Sequence, residues 1–253
     1  SIGQVVPHEV VGMANYSKNI FVGCGGSSMI NASHMLGAFY GMERIMGRDF
    51  SPVRKVFDYA ETHFLAELPL TYILTCTTNT GDKTNIHGLY IGRERREFEK
   101  AVAQSQEMNT WLGNKAVYRT RMAIADGGEL IVLAPGVDKF GEDPENDRLI
   151  RKYGYCGREK VLELVDRPEC GDLRDNLSVA AHLIHGSSDG RFHITYCTEQ
   201  LTGDEVRGVC FGYMPYAEAA QKYDPAVLTD GYHEIDGERI FYISNPALGL
   251  WSL

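Results

Sequence analysis

The sequence predicts an α/β protein of two units, each a mostly parallel sheet flanked by helices. Three observations lead there. Short apolar runs alternate with helix-period segments from one end of the chain to the other. Glycine, proline and small polar residues punctuate the junctions between them. With 253 residues, 43% of them hydrophobic, the chain can bury a substantial core without disulfides.

Taken in order, "IGQVV" opens the chain as a strand, and "NIFVGCGG", residues 19–26, reads as a strand running into a glycine turn. A helix follows with Ser27 or Ser28 as N-cap and continues to about Met46, closed by Gly47. Met35, Phe39, Met42 and Met46 form its core stripe. On another side His34, Gly37, Ala38 and Gly41 follow helical spacing, so either a second backbone or a ligand comes close to that face. Ser51 caps the next helix, Pro52 takes its first position, and Val53, Val56, Phe57, Ala60 and Phe64 are its buried set. "LTYILTCTT" is a strand rich in β-branched residues. "NTGDKTNIHG" reads as a loop, and a polar helix runs from about Arg93 to Met108.

The pattern breaks near residue 112, in "NTWLGNKAVY", which divides the chain into 1–112 and 113–253. Beyond it "ELIVLAPG" is a strand and "DPENDRLIRKYG" a helix with Asp143 as cap and Pro144 behind it. "NLSVAAHLIHG" is a helix closed by Gly186, while "RFHITYC", "VRGVCFGY" and "RIFYIS" are strands.

Composition excludes some functions. A net charge of −9 with acidic residues spread along the chain argues against a broad nucleic-acid footprint. The densest basic cluster, "GRERREFEK", carries its own glutamates and reads as a solvated helix face. No apolar run reaches the roughly 20 residues a membrane helix needs, so no membrane partner is expected and the cytoplasm is the default location. Six cysteines without a C-x-x-C pair read as small buried hydrophobes. The chain enters a strand within two residues of Ser1 and lacks an initial Met, so a natural N-terminal portion is expected to be missing.

Several residues have chemistry to offer. His182 and His185 share one helix face as H-x-x-H, but no third ligand is marked nearby, and His185 in the last turn suits a cation at the helix C-terminus. His63, His87, His193 and His233 carry no supporting pattern and read as structural. "GCGGSS" resembles a phosphate cradle at a helix N-terminus, with Gly25 and Gly26 letting N–H groups approach an anion, or it is simply a tight turn. It fits neither G-x-G-x-x-G nor the P-loop. His8 follows a proline at the end of a short strand and titrates near neutrality, which suits proton transfer. Lys18, the only basic side chain apart from histidine between His8 and Arg44, abuts an apolar run and can carry a covalent adduct if desolvated. His34, on the small-residue face, can present one ring nitrogen to a metal.

Taken together these residues resemble the nickel-pincer lactate racemases and their homologues. That family shares a Pro-His, a lysine ten residues on, a glycine-rich turn, and a histidine sixteen residues past the lysine. Pro7-His8, Lys18, "GCGG" and His34 reproduce both spacings, 10 and 16. The match is clear over residues 2–41 and loose beyond. The resemblance implies that Lys18 holds a pyridinium-derived mononucleotide through a thioamide bond, that His34 completes the coordination of its nickel ion, and that His8 is one of two catalytic histidines. Residues 1–112 would be the remainder of the cofactor-binding N-terminal α/β domain, and 113–253 the C-terminal one. The reaction would be racemisation or epimerisation of a 2-hydroxy acid by reversible hydride transfer, with a base on each face of the carbon. The family's second histidine and a carboxylate-gripping arginine belong to an N-terminal region this chain does not contain.

Lys139, in "APGVDKFGED", is the nearest candidate for a further substrate-contacting lysine. Proteins that make and insert the cofactor would be partners, a homo-oligomer is allowed for, and a chain made without those proteins would have a bare lysine. One departure is "GMANYSK", where Met13, Asn15 and Tyr16 stand in place of small residues. Bulk there is expected to reshape the substrate pocket, which leaves a larger 2-hydroxy acid, a sugar acid or another polyol acid open beside lactate. Two other readings remain. One is a doubly wound nucleotide-binding oxidoreductase using Glu43 or Asp49 on a ribose; the other is a non-catalytic fragment that needs its missing half.

Overall fold

The computed structural model describes residues 1–80, 83–108, 116–141, 143–244, 246 and 251. The fold is mixed α/β. The strand β1 (Ile2–Gln4) is followed by a tight hairpin of β2 (Pro7–His8) and β3 (Gly12–Met13), then by three helices, α1 (Ser17–Gly23), α2 (Ser27–Tyr40) and α3 (Pro52–Phe64). Next come β4 (Tyr72–Thr80), β5 (Lys83–Gly92) and α4 (Arg95–Met108). A short α5 (Ala116–Thr120) leads into β6 (Glu129–Leu133), α6 (Pro144–Tyr153), α7 (Arg158–Asp166), α8 (Gly171–Arg174) and α9 (Leu177–His185). The chain continues through β7 (His193–Thr198), α10 (Gly203–Gly208), β8 (Gly212–Pro215), α11 (Tyr216–Lys222) and a hairpin of β9 (Gly231–Ile235) and β10 (Glu238–Tyr242).

Two three-stranded sheets organise these elements. In the first, β1 pairs with β4 in parallel and β4 with β5 antiparallel, in the order β1-β4-β5. An antiparallel edge strand on a parallel pair is a common way to finish such a sheet. In the second, β6, β7 and β8 are all parallel. One face of the first sheet (Tyr72, Leu74, Cys76) packs with Val5, Met13 and Tyr16 against Phe98, Ala101 and Val102 of α4. On the other face Ile2, Ile86, Leu89 and Ile91 are exposed. The second sheet is buried under α6, α7 and α9 through Leu149, Ile150, Val161, Leu183 and Ile194.

Helix α2 and the segment after it link the second-sheet core to a small cluster of Val10, Val11, Val53 and Phe57, against which Met29 and Leu36 pack. Ala38, Met42 and Met46 belong to the second-sheet cluster, while Gly37 sits against the β2–β3 hairpin, where an added Cβ would lie 2.8 Å from the Val10 carbonyl oxygen. The small-residue face of the helix is therefore occupied by backbone at that point, the first of the two expected alternatives. Behind it the buried Arg121 pairs with Glu43 (2.6 Å) and donates to the carbonyls of His185 and Ser187 (3.2 and 3.1 Å), tying the segment after α2 to the end of α9. The expected boundary at 112 falls outside the described residues.

The caps expected at Ser51 and Asp143 form, whereas α2 has Gly26 as N-cap in place of Ser27 or Ser28. Ser51 Oγ accepts from Arg54 N at the start of α3, Asp143 from Glu145 N and Asn146 N at α6, and Asn176 from Val179 N at α9. Other expectations need correction. "NIFVG" is helical, not a strand: α1 turns Ile20 toward one core and Phe21 and Val22 toward another, a division that helical rotation allows and strand alternation does not. Residues 83–88, expected in a loop, belong to β5. The helix after the glycine turn ends at Tyr40 rather than Met46, because Gly41 adopts φ +105. Phe39, Val56 and Phe64 are 65%, 43% and 72% exposed rather than core, while Arg54 and Glu61 take buried places on α3. Val206 to Gly208 are helical and the strand starts at Gly212. All six cysteines are free, but Cys24 and Cys210 are exposed. Arg93 and Arg95 are not simply solvated: they pair with Glu61 (2.9 Å) and Asp58 (2.5 Å) of α3.

Candidate functional site

The hairpin β2–β3 and the helix pair α1–α2 bring His8, Lys18 and His34 to one place. The groups that bear most strongly on the His8 ring are Glu9, Lys18, His34 and Arg119. Burial pulls the His8 imidazole down to about 4, a shift that Lys18, His34 and Arg119 reinforce and Glu9 opposes. The ring is thus neutral at pH 7, the form that can take up a proton. Its Nδ1 accepts from Val10 N–H at 3.1 Å and lies 3.9 Å from a Glu9 carboxylate oxygen. In this arrangement the proton of the neutral ring is on Nε2.

His34 stands in the third turn of α2. Its Nδ1 lies 2.8 Å from the Ile30 carbonyl oxygen. A carbonyl can only accept, so Nδ1 carries a proton, and in the neutral ring the lone pair is on Nε2, a tautomer that can ligate a metal. His63 makes the same contact with Tyr59 O on α3, so the tautomer alone does not mark His34; its place beside His8 does.

Lys18 is in the first turn of α1 and is half-buried. Burial lowers its pKa; Glu9 works against that and Arg54 adds to it. Among the described residues its ammonium makes no hydrogen bond or ion pair, so the amine is available to react. The residues before it were expected to crowd the substrate pocket. Instead Met13 and Tyr16 are buried in the core with Tyr72 and Phe98, and the Tyr16 hydroxyl donates to Arg93 O at 2.8 Å. Asn15 is fully buried as well. Their bulk turns away from the site.

Gly25 and Gly26 form the exposed turn between α1 and α2. Gly25 permits the close approach of the chain, since a Cβ there would lie 2.0 Å from the Phe21 carbonyl oxygen. Gly26 is the N-cap of α2 and has open space around it. Lys139 is exposed in the loop after β6.

The second unit contributes a residue the sequence did not reveal. Arg119, on α5, is 4% exposed and donates from Nη2 to the Pro7 carbonyl at 2.8 Å. It lies in "VYRTR", a short segment with no pattern to flag it. Tyr118 beside it is buried, with its hydroxyl 3.0 Å from His182 Nδ1, while the Tyr155 hydroxyl is 2.9 Å from His182 Nε2. Both His182 nitrogens are engaged by tyrosines. His185 is 4% exposed, and burial lowers it to about 3. It is a neutral core residue, not the helix-terminal cation expected. Among the described residues no three His, Cys, Asp or Glu side chains gather to hold a metal ion, and no helix is long and apolar enough to cross a membrane.

Comparison with solved structures agrees on the fold. A protein from Thermotoga maritima superposes with a TM-score of 0.74 at 20% identity, covering 98% of this chain and 64% of its own. The lactate racemase apoprotein from Thermoanaerobacterium thermosaccharolyticum superposes with a TM-score of 0.67 at 15% identity, covering 98% of this chain and 61% of its own. This chain therefore spans somewhat over three-fifths of the length of these neighbours. No protein-family model matches the chain, and no curated protein does. The acids that an oxidoreductase would need are otherwise engaged: Glu43 with Arg121 at 2.6 Å and Asp49 with Arg95 at 3.6 Å.

Proposed function

We propose that this chain carries the attachment and metal-ligating part of a racemase or epimerase for 2-hydroxy acids that works by reversible hydride transfer to a lysine-attached nickel-pincer nucleotide. The observation that supports this best is the gathering of three chemically different groups at one place, a half-buried amine, a neutral imidazole and a second imidazole in the metal-ready tautomer. The fold shared with a lactate racemase apoprotein adds to it.

Lys18 Nζ and His34 Nε2 would hold the group. A single imidazole does not hold nickel by itself, so the remaining donors come with the bound nucleotide. The first N–H groups of α2, which no side chain caps, would suit its phosphate. When bound, the group supplies a hydride acceptor, and a 2-hydroxy acid can then pass through its planar 2-keto acid instead of a carbanion beside a carboxylate.

The protein's own work is proton transfer and charge. To accept the hydroxyl proton, His8 would release Val10 N–H and change tautomer through water, Nε2 giving a proton to solvent and Nδ1 taking one up beside the Glu9 carboxylate 3.9 Å away. The Nε2 lone pair then turns to the substrate, and Glu9 stabilises the imidazolium that forms. Arg119 is a cation already beside His8 and suits the substrate carboxylate. Lys139 is a second candidate for that contact. Proteins that make and insert the nucleotide are the expected partners, in the cytoplasm.

The test uses a 2-hydroxy acid with deuterium on its α-carbon and the protein loaded with its nucleotide. Hydride transfer predicts racemisation with the label retained. Loss of the label to solvent at the rate of racemisation would overturn the mechanism.

A further inference from the structure

The segment that carries Lys18 into the site is held by a buried arginine that the chemistry above does not use. Asn15 and Tyr16 have φ of +67 and +57, a region costly for residues with side chains, above all bulky ones. Tyr16 is the N-cap of α1 and offers the helix no side-chain hydrogen bond. Two consecutive left-handed residues persist only where their surroundings over-determine them. The surroundings here are Arg54 of α3, which is 1% exposed. Its Nη2 donates to the Met13 carbonyl at 2.5 Å and to the Asn15 carbonyl at 3.3 Å. Its Nη1 donates to Ser17 Oγ at 3.0 Å, and that hydroxyl donates to Asp58 at 3.0 Å. The guanidinium lies 4.5 Å from the centre of the Phe98 ring, which fixes its plane.

We propose that Arg54 is a positioning residue for Lys18: its guanidinium, bonded on both sides of the left-handed turn and to the first residue of α1, sets where the Lys18 amine sits. A lysine at position 54 would keep the charge, but it lacks the planar fork that reaches three oxygens at once. The proposal deepens the reading of Lys18 as the attachment residue and rests on it for its purpose. The groups around the amine are Glu9 and His8 from the hairpin and Arg54 from α3, with His34 of α2 bearing on the same His8 ring. Arg54 and burial both favour the uncharged amine, and Glu9 opposes them.

Acetic anhydride labelling of the full chain across a pH series tests this on the amine itself, read at Lys18 and at the exposed Lys160 by peptide mass spectrometry. The amine attacks the acyl carbon, acetate leaves, and the ammonium proton goes to water. The wild type is expected to label Lys18 with a midpoint below that of Lys160. In Arg54→Lys that midpoint moves up by about one pH unit, the ordinary spread of lysine values in folded proteins, while Lys160 stays put. Should Arg54→Lys fail to fold, Ser17→Ala removes one anchor of the guanidinium and is expected to shift the midpoint in the same direction. A folded Arg54→Lys, or failing that Ser17→Ala, with the wild-type midpoint overturns the proposal, as does a wild type in which Lys18 and Lys160 label alike. The two readings separate cleanly. A nucleotide adduct on Lys18 beside an unmoved midpoint sinks only the role of Arg54, whereas a moved midpoint without an adduct sinks only the attachment.

Discussion

The first 64 residues and the unit built on β6, β7 and β8 solve different problems. In the second unit three helix starts are capped by side chains, Asp143 at α6, Asn176 at α9 and a full capping box of Thr202 and Glu205 at α10, while α7, α8 and α11 start without one. Its surface charges are paired, as in Asp172 with Arg148 and Lys152 and Arg151 with Asp147. In the first region neither α1 nor α2 has a side-chain cap. Two consecutive residues, Asn15 and Tyr16, are left-handed, and Lys18 and His8 are half-buried. Two of its three helices start without a side-chain cap, and those two carry Lys18 and His34, the proposed reactive groups. The helix pair α1–α2, with its strained entry and its contact with the second core at Ala38, is where we place the proposed site.

The largest effect that would sharpen this contrast is on turnover. His8→Gln in the loaded enzyme should lower it by about 10²- to 10⁴-fold, the usual worth of a general base, with the unfolding midpoint nearly unchanged. A variant of undiminished turnover would remove His8 from the mechanism. Next, Leu149→Ala in the second core, where the side chain is fully buried, should cost about 2–5 kcal/mol in urea unfolding and leave Lys18 labelling as it was. Equal disturbance of both would mean that the two regions are not separable.

Stability should also depend on pH with a definite sign. His8 and His185 are lowered to about 4 and about 3, so below their unfolded value near 6.5 the unfolded chain binds protons that the folded chain refuses. Stability is therefore whole above about pH 6.5 and falls as the pH drops toward 4, by a few kcal/mol in total. His185→Leu should flatten that slope, measured as urea midpoint against pH. An unchanged slope would place the penalty elsewhere. The smallest effect is at a cap: Asp143→Ala should cost about 1 kcal/mol and nothing in turnover.

In the second unit the sequence made α6, α9, β6, β7 and β10 legible, because caps or periodicity mark them. Asp143-Pro144, Asn176 and Gly186 mark ends, and β6 and β7 are runs of β-branched and apolar residues. Helices α5, α7, α8, α10 and α11 and strand β9 went unseen; α7 has Gly157 as N-cap, with no side chain to signal a start. In the first region the same rules misled. A four-residue apolar run such as "NIFV" fits a strand as well as a buried helix, and only packing on two clusters settles it. Strand β5 hid behind its polar residues, which an edge strand tolerates.

Of the proposed site, His8, Lys18 and His34 are singled out by the resemblance to the nickel-pincer family, which compares short spacings along one stretch of chain. Glu9 sat next to His8 without a pattern to mark it. Arg119 comes from 111 residues beyond His8 and depends on how α5 docks. Arg54 did leave a trace, standing three residues before Phe57 and seven before Glu61, on what became the buried side of α3.

Intact mass spectrometry after co-expression with proteins that synthesise the nucleotide tests the central claim most directly. The account predicts an added mass of mononucleotide size, mapped to Lys18, absent from Lys18→Ala, and accompanied by nickel that His34→Ala loses. A chain that stays unmodified at Lys18 and binds no nickel in a host shown to load a known lactate racemase would contradict it.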